Sequence, residues 1–237
     1  MEFERFKLLV KDNFSKIENK SVLIIGVGGV GGYVAESLAR CGVSSIAIVD
    51  SDIVDITNLN RQIIALHSTI GMKKVDVLKT RILDINPNCN VSKFDWFYEE
   101  SNKDIIFDKK YDYIIDACDT IKSKELLIRE AKRRSIKIIS SMGAGFKFDP
   151  SKIKVSKLKK TSYDKIASIL RHNLRDDKEL LEIPVVYSEE TFSRHEKTIA
   201  SNSYIPAIFG LFITSFIIKE WMEEVSWKKN IYQRFYL

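Results

Sequence analysis

Cysteine is scarce in this chain of 237 residues, and its three cysteines stand apart from one another. They are Cys41, Cys89 and Cys118, with no CxxC pair among them. A structural zinc site made of four cysteines is therefore excluded. The N-terminal stretch is charged and amphipathic and lacks the continuous apolar run of a signal peptide. Scattered thiols without a secretory signal favour a reducing compartment, so we expect a cytoplasmic protein.

A long membrane-spanning run is also missing. The stretch at residues 205–218 is apolar apart from Thr214 and Ser215, but a spanning helix needs about 20 apolar residues. We expect a buried core helix there and no stable membrane insertion, with peripheral association through this helix as the alternative.

The composition is that of an ordinary soluble protein, with 45% hydrophobic and 30% charged residues. The net charge of +6 favours polyanionic partners such as nucleic acid, although lysine-rich chains often carry such a charge without one. The chain shows neither an internal repeat nor a second hydrophobic core. We therefore predict a single domain over residues 1–237, with a variable basic insert at about 151–204.

Short β-rich runs alternate with helical stretches through the first half of the chain. Strands are predicted at 21–26, 44–50, 91–97, 111–116 and 136–141, and helices at 30–40, 73–86 and 122–134. This alternation predicts an α/β fold of the Rossmann-like, doubly wound class, with a mostly parallel sheet. After Gly145 the pattern predicts antiparallel C-terminal strands, including 146–149 and 153–158. A basic helix over 163–175 and a polar, mobile loop over 188–202 follow.

A glycine-rich turn follows the first predicted strand and opens a helix. Its glycines are Gly26, Gly28, Gly29 and Gly31. Such a turn lets phosphates approach the backbone, and the N–H groups of the helix point at the anion. Asp50 closes the next strand, where a carboxylate can bind ribose hydroxyls. Alone, this pattern fits a dinucleotide-binding dehydrogenase as well as an ATP site.

Polar residues downstream favour adenylation. The chain continues with an Asp-Ser-Asp run at 50–52, Thr-Asn-Leu-Asn-Arg-Gln at 57–62, two lysines at 73–74 and Asp-Ala-Cys-Asp at 116–119. In an adenylating enzyme, cations neutralise the triphosphate as pyrophosphate leaves, and a carboxylate holds magnesium. Alternatives remain for single residues: Arg61 and Lys74 as solvated surface cations, and Asp119 as a helix cap.

This ordered set resembles the ubiquitin-activating-enzyme-like (ThiF-type) superfamily, whose bacterial members adenylate the C-termini of sulfur-carrier proteins. The resemblance covers nearly the whole chain and implies ATP and Mg²⁺ as ligands. It implies catalytic roles for Arg61, Lys74 and Asp119, with Asp119 on the metal. The implied nucleotide-binding residues are Gly26, Gly28, Gly29, Gly31, Asp50, Asp52, Asn58, Arg61, Gln62 and Lys74.

The second half of the chain resembles one branch of that superfamily, the tRNA threonylcarbamoyladenosine dehydratases. The matching segments are Ser-Met-Gly-Ala-Gly at 141–145, Asp-Pro at 149–150, 153–161, Asp164, 170–175, 185–190 and 203–207. The resemblance implies that ATP adenylates the carboxylate of a threonylcarbamoyl group on an adenosine beside the anticodon. Attack from within the same side chain then expels AMP and closes a ring. Such a closure needs no covalent cysteine, so we interpret Cys118 as a small buried residue.

The basic residues of the second half then become candidates for tRNA binding. The candidate face comprises Lys152, Lys154, Lys157, Lys159, Lys160, Arg171, His172 and Arg175, and the RNA-binding assignment rests on Lys157, Lys160, Arg171 and Arg175. A solvated lysine-rich surface is the alternative. The resemblance further implies a homodimer with Arg5 reaching into the partner's ATP site, although the residues flanking Arg5 differ from the family's. It also suggests a monovalent cation near 143–145 and a cysteine-desulfurase/sulfur-acceptor system as partner.

Three other functions stay open at this point. They are adenylation of the C-terminal glycine of a sulfur-carrier or ubiquitin-like protein, a non-enzymatic nucleotide-binding scaffold, and hydride transfer. The missing zinc cysteines weigh against the first, since activators of sulfur carriers usually carry that site.

Overall fold

The computed structural model describes residues 2–191 and 198–223. Its strands are β1 (Ser21–Ile25), β2 (Ser45–Val49), β3 (Asn90–Phe94), β4 (Tyr113–Asp116), β5 (Lys137–Ser141), β6 (Ile153–Lys157) and β7 (Pro184–Ser188). Its helices are α1 (Glu4–Val10), α2 (Phe14–Glu18), α3 (Gly31–Arg40), α4 (Lys74–Ile85), α5 (Lys103–Ile106), α6 (Ile121–Arg133), α7 (Lys165–Asn173) and α8 (Ile205–Glu223).

All seven strands form one sheet in the order β3-β2-β1-β4-β5-β7-β6. The pairs are parallel except β6 with β7, which confirms the predicted fold class. The chain moves outward from β1 to β3 and then returns to place β4 on the other side of β1. Since ligands of doubly wound sheets bind where the strand order reverses, the carboxyl ends of β1 and β4 are the expected binding edge.

Helices cover both faces of the sheet, so the central strands are apolar on both sides. On one face Ile24 and Ile48 pack with residues of α3, α4 and α8. On the other, Leu23 and Ile25 pack with residues of α6 and α7. The continuous Val, Leu and Ile runs in β1 and β2 follow from this double burial.

Helix α8 belongs to the first of these two cores. It is long and apolar enough to cross a membrane, but 61% of its most apolar 18-residue window is buried inside the structure. Phe209, Ile213 and Trp221 are fully buried in it. The prediction of a core helix at this position is confirmed.

The prediction of a strand at 146–149 is wrong. Phe146 has a left-handed backbone, with φ of 56°, and the N–H groups of Phe148 and Asp149 donate to the Glu190 carboxylate at 2.8 and 2.9 Å. These donors are satisfied by a side chain, so no ladder forms.

The later part of the chain follows the predictions with shifted bounds. The helix predicted over 163–175 begins only at Lys165, because the Asp164 side chain accepts the N–H of Ala167 at 2.9 Å and caps the helix. Of the loop predicted over 188–202, residues 192–197 lie outside the described part of the chain.

Candidate nucleotide-binding site

The glycine-rich turn lies at the carboxyl end of β1, against the loop that follows β4. Gly26 has φ of +85°, and a Cβ there would stand 2.7 Å from the carbonyl oxygen of Ala117. A Cβ on Gly31 would stand 1.9 Å from the carbonyl oxygen of Gly26. Neither position has room for a side chain, so both glycines are required for the turn itself.

Gly28 differs from its neighbours because its Cβ position is open. The nearest heavy atom would be Nε2 of Gln62, 3.6 Å away. Gln62 is buried, and no described group donates a hydrogen bond to its Oε1. The accessible backbone at Gly28 suits the close approach of a phosphate, while Gln62 Oε1 can accept a hydrogen bond from an N–H or O–H group of a ligand.

Asp50 fastens the glycine-rich turn to the end of β2. Its Oδ2 accepts the N–H of Val27 at 2.7 Å, and its Oδ1 accepts the N–H of Asp52 at 2.9 Å. Burial raises the pKa of the Asp50 carboxyl, while these hydrogen bonds oppose the shift. Each oxygen keeps a second lone pair, so the carboxylate can also accept from a ribose hydroxyl.

The polar loop after β2 forms the next wall of the site. Asp55 and Asn58 cap its 3-10 turn reciprocally, with Asn58 Oδ1 accepting the N–H of Asp55 at 3.1 Å. Arg61 is half-buried and donates from Nη1 to the Thr57 carbonyl at 2.8 Å and to Asn60 Oδ1 at 2.9 Å. Because its bonds are to its own loop, Arg61 can turn toward a phosphate without disturbing the core.

Lys74 is a buried cation beside that loop. Its side chain is 6% exposed, and its Nζ lies 2.7 Å from Oδ2 of the exposed Asp52 carboxylate. The reading of Lys74 as a solvated surface cation is therefore wrong. The ion pair places an ammonium at the binding edge with a single carboxylate partner in the described structure.

Asp119 stands exposed at the carboxyl end of β4. Helix α6 starts at Ile121 with Thr120 as its N-cap residue and without a side-chain cap, so the reading of Asp119 as the cap is wrong. No three His, Cys, Asp or Glu side chains cluster as a metal cage among the described residues. The Asp119 carboxylate accepts one long hydrogen bond, from Thr120 Oγ1 at 3.4 Å. It keeps lone pairs for Mg²⁺, which binds one or two carboxylates together with substrate phosphates.

Comparison with known proteins identifies the family of this site. Residues 3–219 match the ThiF family. The chain belongs to that family. The tRNA threonylcarbamoyladenosine dehydratase of Bacillus subtilis is 37% identical, over 96% of this chain and 97% of that protein. Crystal structures of the Escherichia coli tRNA N6-threonylcarbamoyladenosine dehydratase with ATP and with AMP superpose with TM-scores of 0.90 and 0.89 at 32% identity. They cover 96% and 95% of both chains.

The ThiF-family chain also carries a buried ion pair that the sequence predictions missed. Lys124 and Asp116 are both 0% exposed, and Lys124 Nζ lies 3.0 Å from Asp116 Oδ1. A signal was present in the sequence, since Lys124 precedes Leu127, Ile128 and Ala131 at helical spacing. Those three form the buried face of α6, so Lys124 had to face the core as well.

Cys118 is partly buried between the two aspartates of the loop. Its Sγ lies 3.1 Å from Asp116 Oδ1. Burial raises the pKa of the Cys118 thiol well above its usual value, and the Asp116 carboxylate adds to the shift. The thiol is therefore protonated at neutral pH, in the opposite state from an activated nucleophile.

The predicted RNA-binding residues lie away from the binding edge. Strand β6 is antiparallel to β7, with Lys157 opposite Pro184 at the amino end of β7. Lys157 is ion-paired with Glu182 at 2.8 Å, and Lys159 contacts the same carboxylate. Lys152, just before β6, and Lys154, the second residue of β6, lie near the carboxyl edge, since Lys154 is opposite Tyr187 near the end of β7.

Arg171 and Arg175, the two arginines among the predicted RNA-binding residues, also lie away from the carboxyl edge of the sheet. Helix α7 starts beside Gly143, whose N–H donates to the Asp164 carboxylate at 3.1 Å. From there α7 runs nine residues, which is about 13 Å, to its last turn. Arg171 lies in that turn and donates to Thr161, and Arg175 contacts His172 Nδ1 at 3.2 Å.

Proposed function

We propose that this chain is an ATP-dependent tRNA threonylcarbamoyladenosine dehydratase, acting as a single adenylating domain. It would adenylate the carboxylate of threonylcarbamoyladenosine beside the anticodon and release AMP as the side chain cyclises. The observation that supports the proposal is that the segments after β2 and β4, which carry Arg61, Lys74 and Asp119, reach the carboxyl end of the sheet beside the glycine-rich turn. Arg61 Cγ lies 3.6 Å from the Cβ position of Gly29, and the Ala117 carbonyl lies against Gly26. The chain that holds them is similar, over 96% of its length, to the Bacillus subtilis dehydratase.

The chemistry needs these groups because a carboxylate is a poor electrophile. Attack of the carboxylate oxygen on the α-phosphate of ATP forms an acyl adenylate and expels pyrophosphate. We assign Arg61 and Lys74 to neutralise the charge that accumulates on the departing pyrophosphate. Asp119 would hold Mg²⁺, which offsets phosphate charge when bound.

The second step requires little from the protein. An atom of the same side chain attacks the activated carbonyl, the ring closes, and AMP leaves with one oxygen of the original carboxylate. The net change in the nucleoside is the loss of one water. Because the reaction is intramolecular, proximity replaces a covalent enzyme intermediate, in agreement with a protonated Cys118.

A tRNA substrate must contact more than the binding edge. Strand β6 has five residues and is therefore about 17 Å long, so the RNA-binding candidates at the far edge lie within the span of a folded tRNA. We propose that Lys157, Lys160, Arg171 and Arg175 bind backbone phosphates away from the reacting nucleoside.

We further propose a cytoplasmic homodimer. Helix α1 exposes Arg5 together with Leu8 and Leu9, which are 72% and 76% exposed. A second copy of the chain could bury this exposed apolar pair. Such a dimer would bring Arg5 toward the nucleotide bound by the partner. A monovalent cation near 143–145 and a cysteine-desulfurase/sulfur-acceptor partner complete the proposal.

Incubation of the purified protein with tRNA that carries threonylcarbamoyladenosine tests the proposed activity. Nucleosides would be analysed by mass spectrometry under mild conditions that preserve a fragile ring. We expect a product lighter by one water, formed only with ATP and Mg²⁺. An unchanged nucleoside, together with ATP-dependent adenylation of the C-terminal glycine of a sulfur-carrier protein, would contradict the proposal and support the alternative substrate.

A further inference from the structure

Lys124 contacts two neighbouring strands, β4 and β5, from one fully buried position on α6. Its Nζ donates to Asp116 Oδ1 at the end of β4 (3.0 Å) and to the Ser141 carbonyl at the end of β5 (2.7 Å). Its third neighbour is Ser140 Oγ at 3.5 Å, and that hydroxyl in turn donates to Asp116 Oδ2. All donors of the ammonium and both oxygens of the carboxylate are thus engaged.

A buried ion pair of this kind is a poor way to gain stability. Removing two charges from water costs free energy that their attraction only partly returns, and apolar side chains of similar volume often serve a fold equally well. The pair and its serine partners border an apolar core, which includes Leu127 and Ile128 on the same helix face. Its position in the molecule therefore suggests another role.

The ion pair lies at the end of β4, next to the loop that carries Asp119. Asp116 is the last residue of β4, and its Oδ1 also accepts the N–H of Cys118 at 3.3 Å. The carbonyl of Ala117, between them, lies against Gly26 of the glycine-rich turn. The loop over 117–120 is therefore held at two points. Asp116 of the ion pair binds the N–H of Cys118, and the glycine-rich turn packs against the carbonyl of Ala117.

We propose that Lys124 is a positioning residue for magnesium-dependent nucleotide binding. By fixing Asp116, it holds the 117–120 loop so that the Asp119 carboxylate meets the magnesium ion of Mg·ATP. This inference rests on the proposed function, from which it takes Asp119 as the magnesium ligand. Lys124 itself touches neither the nucleotide nor the reacting atoms.

The test compares ATP affinity with and without magnesium, by calorimetric titration of the purified protein in Mg²⁺ and in EDTA. We expect Lys124→Met to reduce the ratio of the two affinities by about tenfold, which corresponds to one misplaced charged ligand. The affinity in EDTA should change much less, since the glycine-rich turn remains. Lys103→Met is the matched control, because it removes a mostly buried ion pair between α5 and Glu130 of α6 and should leave the ratio unchanged.

A double variant separates positioning from stability. Lys124→Met alone leaves the Asp116 carboxylate buried without its partner and should lower the thermal unfolding midpoint. Lys124→Met with Asp116→Asn buries no net charge, so the midpoint should recover while the magnesium effect on ATP affinity stays lost. If the magnesium effect returned together with the midpoint, the pair would be only structural and the proposal would be wrong.

Asp119→Asn distinguishes failure of this inference from failure of the proposed function. We expect Asp119→Asn to lose the magnesium effect and Lys124→Met to add little on that background, because both act through one ligand. If Asp119→Asn kept the magnesium effect, the metal assignment in the proposed function would be wrong, and the inference would fall with it. If Asp119→Asn lost the effect and Lys124→Met kept it, only the role of Lys124 would be overturned.

Discussion

At the scale of single residues, Arg61 offers the cleanest test of the electrostatic assignment. Its hydrogen bonds are to Thr57 and Asn60 within its own loop, so its removal should leave the fold intact. We expect Arg61→Ala to lower kcat by roughly 10²–10³-fold, which is the effect of removing one hydrogen-bond donor to the transition state in other enzymes. The measurement is the single-turnover rate on modified tRNA, with Arg40→Ala as a control that removes an ion pair to Glu36. A near-normal rate would remove Arg61 from the catalytic set.

Cys118 supplies the opposite kind of prediction. Because burial and the Asp116 carboxylate hold the pKa of its thiol well above the ordinary value, the thiolate is scarce at neutral pH. We expect Cys118→Ala to keep its rate within about twofold, and the native thiol to resist iodoacetamide at pH 7. A folded but inactive variant would revive a covalent mechanism.

At the scale of elements, the glycine-rich turn separates folding from binding. A Cβ on Gly31 would meet the Gly26 carbonyl at 1.9 Å, whereas a Cβ on Gly28 makes only an ordinary contact at 3.6 Å. We expect Gly31→Ala to lower the thermal unfolding midpoint markedly. Gly28→Ala should keep the normal unfolding midpoint but bind ATP at least about tenfold more weakly, because the added methyl group takes the space through which the phosphate reaches the backbone. Equal effects of the two substitutions on unfolding would show that the turn is packed differently.

Most elements of the sheet could be predicted from sequence, because a strand buried on both faces leaves a continuous apolar run, as in β1 and β2. The segment at 146–149 could not, since its hydrogen bonds go to Glu190, some 40 residues later in the chain. In the candidate site, spacing and family resemblance predict Asp50 and Lys74 as site residues. Their present partners, Val27 and Asp52, are long-range contacts that no local pattern contains. Lys124 was missed because a lysine is ordinarily assigned to the surface. Its spacing from the buried residues of α6 shows that it faces the core.

At the scale of the whole molecule, the proposed function assigns the nucleotide to one edge of the sheet and the RNA backbone to the opposite edge. We expect charge reversal of Lys157, Lys160, Arg171 and Arg175 to Glu to weaken tRNA binding and to flatten its dependence on salt. ATP affinity should stay unchanged, because the glycine-rich turn lies at the opposite edge. The matched control reverses Lys11, Lys79, Lys109 and Lys110, which gives the same change in net charge. An equal loss of tRNA binding in both variants would show that only net charge matters.

Adenylation of the substrate carboxylate is the central step of the proposed reaction, and an oxygen label tests that step directly. Threonylcarbamoyladenosine in tRNA would be prepared with oxygen-18 in its carboxylate and incubated with the protein, ATP and Mg²⁺. If the carboxylate attacks the α-phosphate and AMP later leaves with that oxygen, the label must appear in the AMP phosphate, one atom for each nucleoside dehydrated. Dehydrated nucleoside together with unlabelled AMP, or with ADP in its place, would contradict the adenylation mechanism.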